Sequence, residues 1–337
     1  MRMKNSRRSF LKKSGTGLAA AIVAPAILPS GTLFAASNNQ KIKHVVLCIM
    51  GGGLRNSETV GKGQGNLMPN VFSTLKQQGT FFKGFTYANG PTGHYNAHTA
   101  ILTGIYTKED LNVKKNPDYP TLFEYYKKHS CNKQNAWWLS NILGPYPSLT
   151  HSSDWSYGKT FASKFHLPHE KFHPYSNDIS NVLHACNIIE KHQPELLVVN
   201  MQDADIAHSN FTTYCQSIKN ADAALNTLWN KIQNTPGMAN NTVLITLPEH
   251  GRNEKGNGIV DANGFEGLDH TGDAASRELF CLMLGPDNVI QQNHTVENQS
   301  GESVDILPTI ASLLGFYENI PSVYRKKMGK ILDSAFV

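Results

Sequence analysis

Residues 242–250 read Thr-Val-Leu-Ile-Thr-Leu-Pro-Glu-His, an apolar run followed directly by a carboxylate and an imidazole. A short apolar run of this kind predicts a strand that is covered on both faces. Residues 194–201 have the same layout, and Asp205 and His208 follow them. Open α/β sheets place their sites at the carboxyl ends of strands. The two segments therefore predict an α/β sheet with acid and histidine side chains at one edge.

A third cluster, Asp269 with His270, lies in the loop that follows the predicted strand at residues 242–248. Surface loops also collect Asp and His without any function, so the placement is more informative than the residue types. Carboxylate and imidazole ligands that converge on one edge suit a divalent metal. The clusters predict one or two metal ions, with zinc as the first candidate and manganese, magnesium or calcium as alternatives.

Predicted strands alternate with predicted helices along most of the chain. Beyond the two strands already named, the strands are 43–50, 80–88, 135–139 and 279–284, and the helices are 69–78, 94–102, 121–129, 177–192, 212–232 and 303–314. This alternation predicts a single three-layer α/β/α domain over residues 41–337, with a mostly parallel central sheet and helices on both faces. Residues 144–174 lack periodicity and are either a lid or an insertion.

The N-terminus carries an export signal. Residues 6–12, Ser-Arg-Arg-Ser-Phe-Leu-Lys, form a twin-arginine motif, and an apolar stretch and small residues at Ala35 and Ala36 follow. Pro25 and Pro29 make the apolar stretch a poor membrane span. We expect residues 1–36 to be a cleaved signal peptide, which predicts a periplasmic or secreted protein with no membrane span after cleavage. The alternative is an uncleaved anchor.

The formal charge of +5 comes from the leader. Its six basic residues and no acids leave about −1 for the mature chain, so charge gives no argument for a nucleic acid partner. Cys48 and Cys281 lie in apolar runs and are expected to be buried thiols. The other three of the five cysteines allow one disulfide, without selecting a pair: Cys131, Cys186 and Cys215.

Four stretches resemble the alkaline phosphatase superfamily, which includes sulfatases and nucleotide phosphodiesterases. Residues 45–53 with 68–79 resemble its opening strand and its "Pro-Asn-x-x-x-Leu-x-x-x-Gly" helix, and residues 96–104 resemble the helix after its nucleophile. The acid–histidine clusters resemble its metal ligands. Residues 303–315 resemble the "Asp-Ile-x-Pro-Thr" ending of sulfatase-like domains. Together these stretches span nearly the whole mature chain.

The resemblance implies an alkaline phosphatase-like fold with two metals about 4 Å apart, which clamp the oxygens of a phosphate or sulfate ester. By position, Asp205, His208 and His270 would hold one metal. Glu249 and His250, where the family has Asp-His, would help to hold the second. Asp269 is a bridging ligand, a partner that fixes a histidine ring, or a turn residue.

The chain also departs from the family. Glycines 51–53 replace a metal-binding Asp, and Glu58, the nearest acid downstream, is either a ligand that reaches back or a solvated carboxylate. His94 stands at the nucleophile position, and Thr92 is the nearest upstream hydroxyl. His94 and His98 share a helix face and suit a metal. Alternatively, His94 caps a loop, and His98 contacts substrate or packs against the metal ligands. Formylglycine chemistry is not expected, since the chain has no Cys/Ser-x-Pro-x-Arg motif.

A twin-arginine-exported branch of the superfamily is more similar still. It shares a Gly-Gly turn, a downstream acid, a "Glu-x-Gly-Arg" segment and a late Asp-His, which here are Gly52-Gly53, Glu58, residues 249–252 and Asp269-His270. Arg252 either grips an anionic oxygen of the substrate or pairs with Glu254. The candidate catalytic residues are therefore Thr92, His94 and Arg252.

These observations support two hypotheses from different classes. The first is an exported metal-dependent hydrolase of phosphate- or sulfate-type esters, acting on a small-molecule or glycan ester. In it, water activated by the metal attacks, or, as a second choice, Thr92 does. The alternative is a non-catalytic metal- or glycan-binding protein that retains the fold and part of the site.

Overall fold

The structure, a computed structural model, describes residues 42–61, 66–109, 115–131, 135–167, 177–298 and 301–337. The predicted signal peptide, residues 1–36, lies outside this part of the chain. So does the end of the irregular segment, from residue 168 to residue 174.

A single mixed sheet of nine strands forms the centre of the described chain. The strands are β1 (His44–Met50), β2 (Gly79–Thr86), β3 (Ala136–Ser140), β4 (Lys164–His166), β5 (Leu196–Met201), β6 (Thr242–Pro248), β7 (Glu278–Leu284), β8 (His294–Val296) and β9 (Gly301–Glu302). Their order is β4-β3-β5-β1-β6-β7-β2-β8, and β9 pairs with β2. All pairings are parallel except those of β7 with β6 and with β2.

Eight α-helices accompany the sheet in the described ranges. They are α1 (Asn56–Thr59), α2 (Pro69–Ser73), α3 (His94–Thr103), α4 (Leu122–His129), α5 (Asp178–His192), α6 (Phe211–Gln233), α7 (Ile306–Leu313) and α8 (Ser322–Arg325). One predicted helix is wrong as a continuous element. Thr74 has φ −129° and ψ −54°, which interrupts the helix predicted over residues 69–78. A 3-10 helix from Leu75 to Gln78 follows the break.

The sheet has a hydrophobic core on each face. In β1, Val45, Leu47 and Ile49 join one core, and the alternate side chains, Val46, Cys48 and Met50, join the other. Helices α3, α4 and α7 cover the first face, and α2, α5 and α6 cover the second. Each buried aliphatic side chain of this kind contributes about 1.5–3 kcal/mol. The predicted three-layer α/β/α class with a mostly parallel sheet is therefore confirmed.

The direction of strand β7 determines which segments reach the carboxyl edge of the sheet. It runs antiparallel to β6 and β2, so the segment that precedes it reaches the edge where the parallel strands end. Strand β2, which also pairs antiparallel with β7, ends at that same edge and leads into α3. The loops after β1, β2, β5 and β6 and the loop before β7 therefore meet at the carboxyl edge of the sheet.

The described part of the irregular segment is folded. Residues 144–167 contain two 3-10 helices and the edge strand β4, and Tyr146 is buried within them. All five cysteines are unpaired, and Cys48 and Cys281 are buried as predicted. No helix in the described ranges is both long and apolar enough to cross a membrane.

Candidate metal centre

Histidine and carboxylate side chains converge at the carboxyl edge in two groups that share one residue. The ligand atoms within each group lie within 4.8 Å of one another. The first group is His94, Asp205, His208 and His270, and the second is His94, Glu249 and His250. His94 is the first residue of α3, and the other members follow β5 and β6 or precede β7.

Asp205 is the centre of the first group. Its Oδ1 lies 2.7 Å from Nε2 of His94 and 3.2 Å from Nε2 of His208. The ring of His270 lies 4.6 Å from that of His94 and 5.0 Å from that of His208, centroid to centroid. Three imidazoles and one carboxylate thus face one small space.

Glu249 is the centre of the second group and is completely buried. Its Oε1 lies 2.6 Å from Nδ1 of His94 and accepts a 2.5 Å hydrogen bond from the backbone N–H of Gly52. Its Oε2 lies 2.7 Å from Nδ1 of His98. Nε2 of His250 lies 3.1 Å from Nδ1 of His94.

Three of the histidine rings are held through Nδ1, which directs Nε2 toward the groups. Nδ1 of His270 donates to the carbonyl of Thr92 at 2.8 Å, and Nδ1 of His250 donates to the carbonyl of Gly251 at 2.8 Å. Nδ1 of His208 lies 3.2 Å from Oδ1 of Asp269. Histidines that bind metal usually donate the second ring nitrogen to a carbonyl or a carboxylate. The donor types and the ring orientations therefore fit a divalent metal of the zinc type.

The glycine turn after β1 makes this close approach possible. Gly52 and Gly53 have φ of +82° and +75°, a conformation that other residues rarely adopt. A Cβ on Gly52 would lie 2.1 Å from the backbone nitrogen of Asp205, and one on Gly53 would lie 2.5 Å from Nδ1 of His250. The turn that replaces the expected Asp thus packs its backbone directly against both groups.

The carboxylates and imidazoles shift each other's proton affinity. Burial opposes a charge on His94, but Glu249 and Asp205 outweigh it and raise the pKa of His94 to about 10. Burial, together with the nearby His94, lowers the pKa of His270 to about 4. The pKa of Glu249 falls well below its usual value, because His94, His98 and His250 outweigh the effect of burial. Without metal, the two carboxylates thus favour the protonated form of the His94 ring that lies between them.

Glu58 does not belong to either group. Its carboxylate forms an ion pair with Arg55, with Oε1 2.6 Å from Nη2. The Arg55 guanidinium also donates to the carbonyls of Asn253 and Glu254. The predicted alternative in which Glu58 reaches back to a metal is therefore wrong, because the carboxylate is already bound to a guanidinium beyond the glycine turn.

Arg252 lies inside the protein and faces no solvent. It is 0% exposed, and its N–H groups donate to the carbonyls of four residues, at 2.5 to 3.2 Å: Gly52, Gly53, Ala204 and Leu268. It forms no ion pair, and specifically none with Glu254, in the described ranges. Both predicted roles, the grip on a substrate oxygen and the pair with Glu254, need correction because the donors already have backbone partners.

Thr92 and His98 contact members of the two groups. The Thr92 hydroxyl donates to the carbonyl of His270 at 2.9 Å. His98 is buried, with Nε2 2.9 Å from Oδ1 of Asn200 and Nδ1 close to Glu249. His98 thus packs against the two groups, which is one of the three settings predicted for it. Asp269 is 43% exposed and accepts from Asn257 as well as His208, so it fixes a histidine ring.

Sequence reasoning missed two residues that shape the centre. Asn257 donates to the carbonyl of His208 at 2.9 Å and to Asp269 at 3.1 Å. Tyr214 lies beneath Arg252, with the guanidinium carbon 4.7 Å from the ring centroid. Asn257 lies in a Gly-rich loop and Tyr214 in an amphipathic helix, and neither pattern carries a signal for such a contact.

No protein-family model matches the chain, and no curated protein matches it. Solved structures do match. One is a protein in the alkaline phosphatase superfamily from Vibrio parahaemolyticus, with 16% identity, a TM-score of 0.57 and coverage of 82% of this chain and 67% of that chain. Another is the C-terminal periplasmic domain of EptC from Escherichia coli, in complex with zinc, with 13% identity, a TM-score of 0.57 and coverage of 83% and 84%.

A third match is the phosphonate monoester hydrolase of Agrobacterium radiobacter, with 13% identity and a TM-score of 0.55 over 81% of this chain and 74% of that chain. The protein therefore has the fold of the alkaline phosphatase superfamily, and the resemblance seen in the sequence is confirmed at the level of the fold.

Proposed function

We propose that the protein is an exported, metal-dependent hydrolase of phosphate- or sulfate-type esters. The observation that carries this proposal is the first group, in which His94, Asp205, His208 and His270 place their ligand atoms within 4.8 Å of one another. It lies at the carboxyl edge of a sheet, where α/β folds hold their sites. Two matched structures, a phosphonate monoester hydrolase and a zinc-bound periplasmic domain, make ester hydrolysis and zinc reasonable expectations.

Two ions are proposed, one for each group. Asp205, His208 and His270 would hold the first, Glu249 and His250 would hold the second, and His94 would stand between them. A bound divalent metal would supply Lewis-acid polarisation of the ester and activation of water. Zinc is proposed first because imidazole nitrogens dominate the donor set.

The residues of the chain have distinct roles in this proposal. Glu249 and Asp205 stabilise the protonated form of His94 until metal binds. Thr92 orients His270 through its carbonyl, and its hydroxyl is committed to the carbonyl of His270. We therefore assign Thr92 to support of the ligand rather than to attack, and water is the reactant.

A panel of chromogenic esters tests the proposal. The mature protein, residues 37–337, would be loaded with zinc or manganese and assayed with p-nitrophenyl phosphate, bis(p-nitrophenyl) phosphate and p-nitrophenyl sulfate. Turnover that disappears in His208→Ala but persists in His129→Ala would support the proposal. His129 is a suitable control because it is exposed and contacts Asn319 rather than the centre. No turnover of any ester by the metal-loaded protein would overturn it.

One observation favours the non-catalytic alternative. The nearest upstream hydroxyl, that of Thr92, already has a backbone partner, and the glycine turn after β1 provides no carboxylate. A protein that binds zinc tightly, is fully folded and hydrolyses none of the esters would fit this alternative.

Export is a separate part of the proposal and has its own test. Replacement of Arg7 and Arg8 by lysine should keep the protein inside the cell at full length. Periplasmic recovery of that double variant at the wild-type level would argue against the twin-arginine route.

A further inference from the structure

The buried guanidinium of Arg252 has an unusual set of partners. A charged side chain is almost never fully buried unless it is paired, yet all the hydrogen bonds of this one go to neutral carbonyls. Asp205, Asp269 and Glu249 favour its charge from a longer range. The segments that supply these carbonyls indicate what the guanidinium does.

Each carbonyl belongs to a segment that carries part of the metal centre. Ala204 immediately precedes Asp205, and Leu268 precedes Asp269 and His270. Gly52 donates its own N–H to Glu249, and Gly53 packs against His250. Arg252 itself is two residues beyond His250. The hydrogen bonds of one side chain therefore join the loop after β1, the loop after β5 and both ends of the connection from β6 to β7.

A residue of helix α6 fixes the position of the guanidinium. It stacks on the ring of Tyr214, a fully buried residue of α6, at 4.7 Å. The hydroxyl of Tyr214 accepts a hydrogen bond from the backbone N–H of Arg55 at 2.8 Å. Arg252 is thus held against a helix of the core, and the loops are held against Arg252.

We propose that Arg252 is a positioning residue that sets the relative placement of the ligand-bearing loops. The inference rests on the metal centre of the proposed function. A planar guanidinium presents five N–H groups in a fixed fork, and Arg252 uses it to reach four carbonyls at once. The three mobile donors of a lysine ammonium cannot reproduce this arrangement. The role explains why an arginine next to the ligands is buried instead of facing an anionic substrate.

The test is the affinity of folded protein for zinc. Mature wild-type protein and Arg252→Lys would be titrated with zinc in competition with a chromogenic chelator. Loss of groups that orient ligands typically costs 10–100-fold in metal affinity, and we expect a rise in Kd for zinc in this range. Leu228→Ala is the matched control, because it loosens the core at a buried position in the later part of α6, and its Kd for zinc should equal that of the wild type.

A folded Arg252→Lys protein with a wild-type Kd for zinc would overturn the inference. An equal loss of affinity in Leu228→Ala would also overturn it, because the effect would then be general destabilisation. Wild-type protein that binds zinc but hydrolyses no ester would contradict the proposed function and leave the inference intact. Wild-type protein that binds neither zinc nor manganese would contradict both.

A measurement on the wild-type protein covers the case in which Arg252→Lys fails to fold. Because linkage is reciprocal, zinc must tighten the contacts of Arg252 if Arg252 helps to hold the zinc ligands. Hydrogen exchange at Nε–H of Arg252, followed by NMR, should slow by at least tenfold when zinc is added. An exchange rate that zinc leaves unchanged would overturn the inference.

Discussion

His270 and Thr92 hold each other through two reciprocal hydrogen bonds. Nδ1 of His270 donates to the carbonyl of Thr92 at 2.8 Å, and the hydroxyl of Thr92 donates to the carbonyl of His270 at 2.9 Å. The first bond fixes the orientation of the ring, and the second ties the loop before α3 to the loop before β7. A candidate nucleophile is thereby part of the support of a candidate ligand.

Thr92→Val should leave ester turnover by zinc-loaded protein within a few fold of the wild type, because the carbonyl that orients His270 remains. The lost hydroxyl bond should lower the free energy of unfolding by about 1 kcal/mol. Denaturant unfolding and steady-state kinetics measure the two effects, with Thr92→Ser as the control that keeps the hydroxyl. Loss of turnover in Thr92→Val but not in Thr92→Ser would restore Thr92 as the nucleophile.

The shared position of His94 predicts a pattern of zinc stoichiometry. We expect two ions in the wild type, one in His208→Ala, one in His250→Ala and a partial loss of both in His94→Ala, because only His94 belongs to both groups and each group keeps its other members without it. Elemental mass spectrometry after dialysis measures the ratio, and His129→Ala should match the wild type. If His94→Ala retained both ions, the two groups would have to be independent of it.

Zinc binding should release about one proton at neutral pH. The pKa of His94 in the metal-free protein is raised to about 10, so the ring is protonated at pH 7, whereas His270, with a pKa lowered to about 4, is already neutral. A ligand must lose its proton to bind metal, so zinc affinity should rise with pH and level off above about 10. Calorimetry in buffers of different ionisation enthalpy counts the protons. A proton count of zero at pH 7 would contradict the assignment.

Gly53→Ala should destabilise the protein more than an equal change elsewhere. Its positive φ alone costs about 1–2 kcal/mol, and its Cβ would also lie 2.5 Å from Nδ1 of His250. Gly258→Ala is the matched control, since Gly258 has φ +78° and no atom within 4 Å of the added Cβ. We expect Gly53→Ala to lower both the melting temperature and the zinc affinity, and Gly258→Ala to lower only the melting temperature. Equal effects of the two changes would show that the contact with His250 is unimportant.

Much of the fold can be predicted from the sequence, because the buried strands are visible in it as uninterrupted apolar runs. The apolar runs of β1, β5 and β6 and the acid–histidine pairs after them identify both the sheet and its functional edge. Helices with a clear apolar face, such as α6, were found within one or two residues of their ends. Local periodicity is sufficient to predict such a helix, because apolar residues recur at the spacing that puts them on its buried face.

The roles of Arg252 and Glu58 could not be predicted in the same way. Both depend on which backbone carbonyl or guanidinium a loop brings near, and that is set by tertiary structure. Arg252 contacts carbonyls, where the sequence predicts an anionic partner, and Glu58 pairs with Arg55, where the sequence predicts either a metal or solvent. The reversed direction of β7 also escaped prediction, because a strand covered on both faces has the same apolar pattern in either direction.

The reversed direction of β7 means that the connection from β6 to β7 leaves the carboxyl edge and returns to it. Both ends of residues 249–277 are thus fixed at the metal centre, by Glu249 and His250 at the start and by His270 shortly before the end. The mostly exposed stretch 258–266, between Asn257 and Gly267, can therefore grow, shrink or change composition while the parts of the connection that contact the two groups stay in place. In evolution, this is the segment through which the proposed hydrolytic centre could be adapted to new substrates.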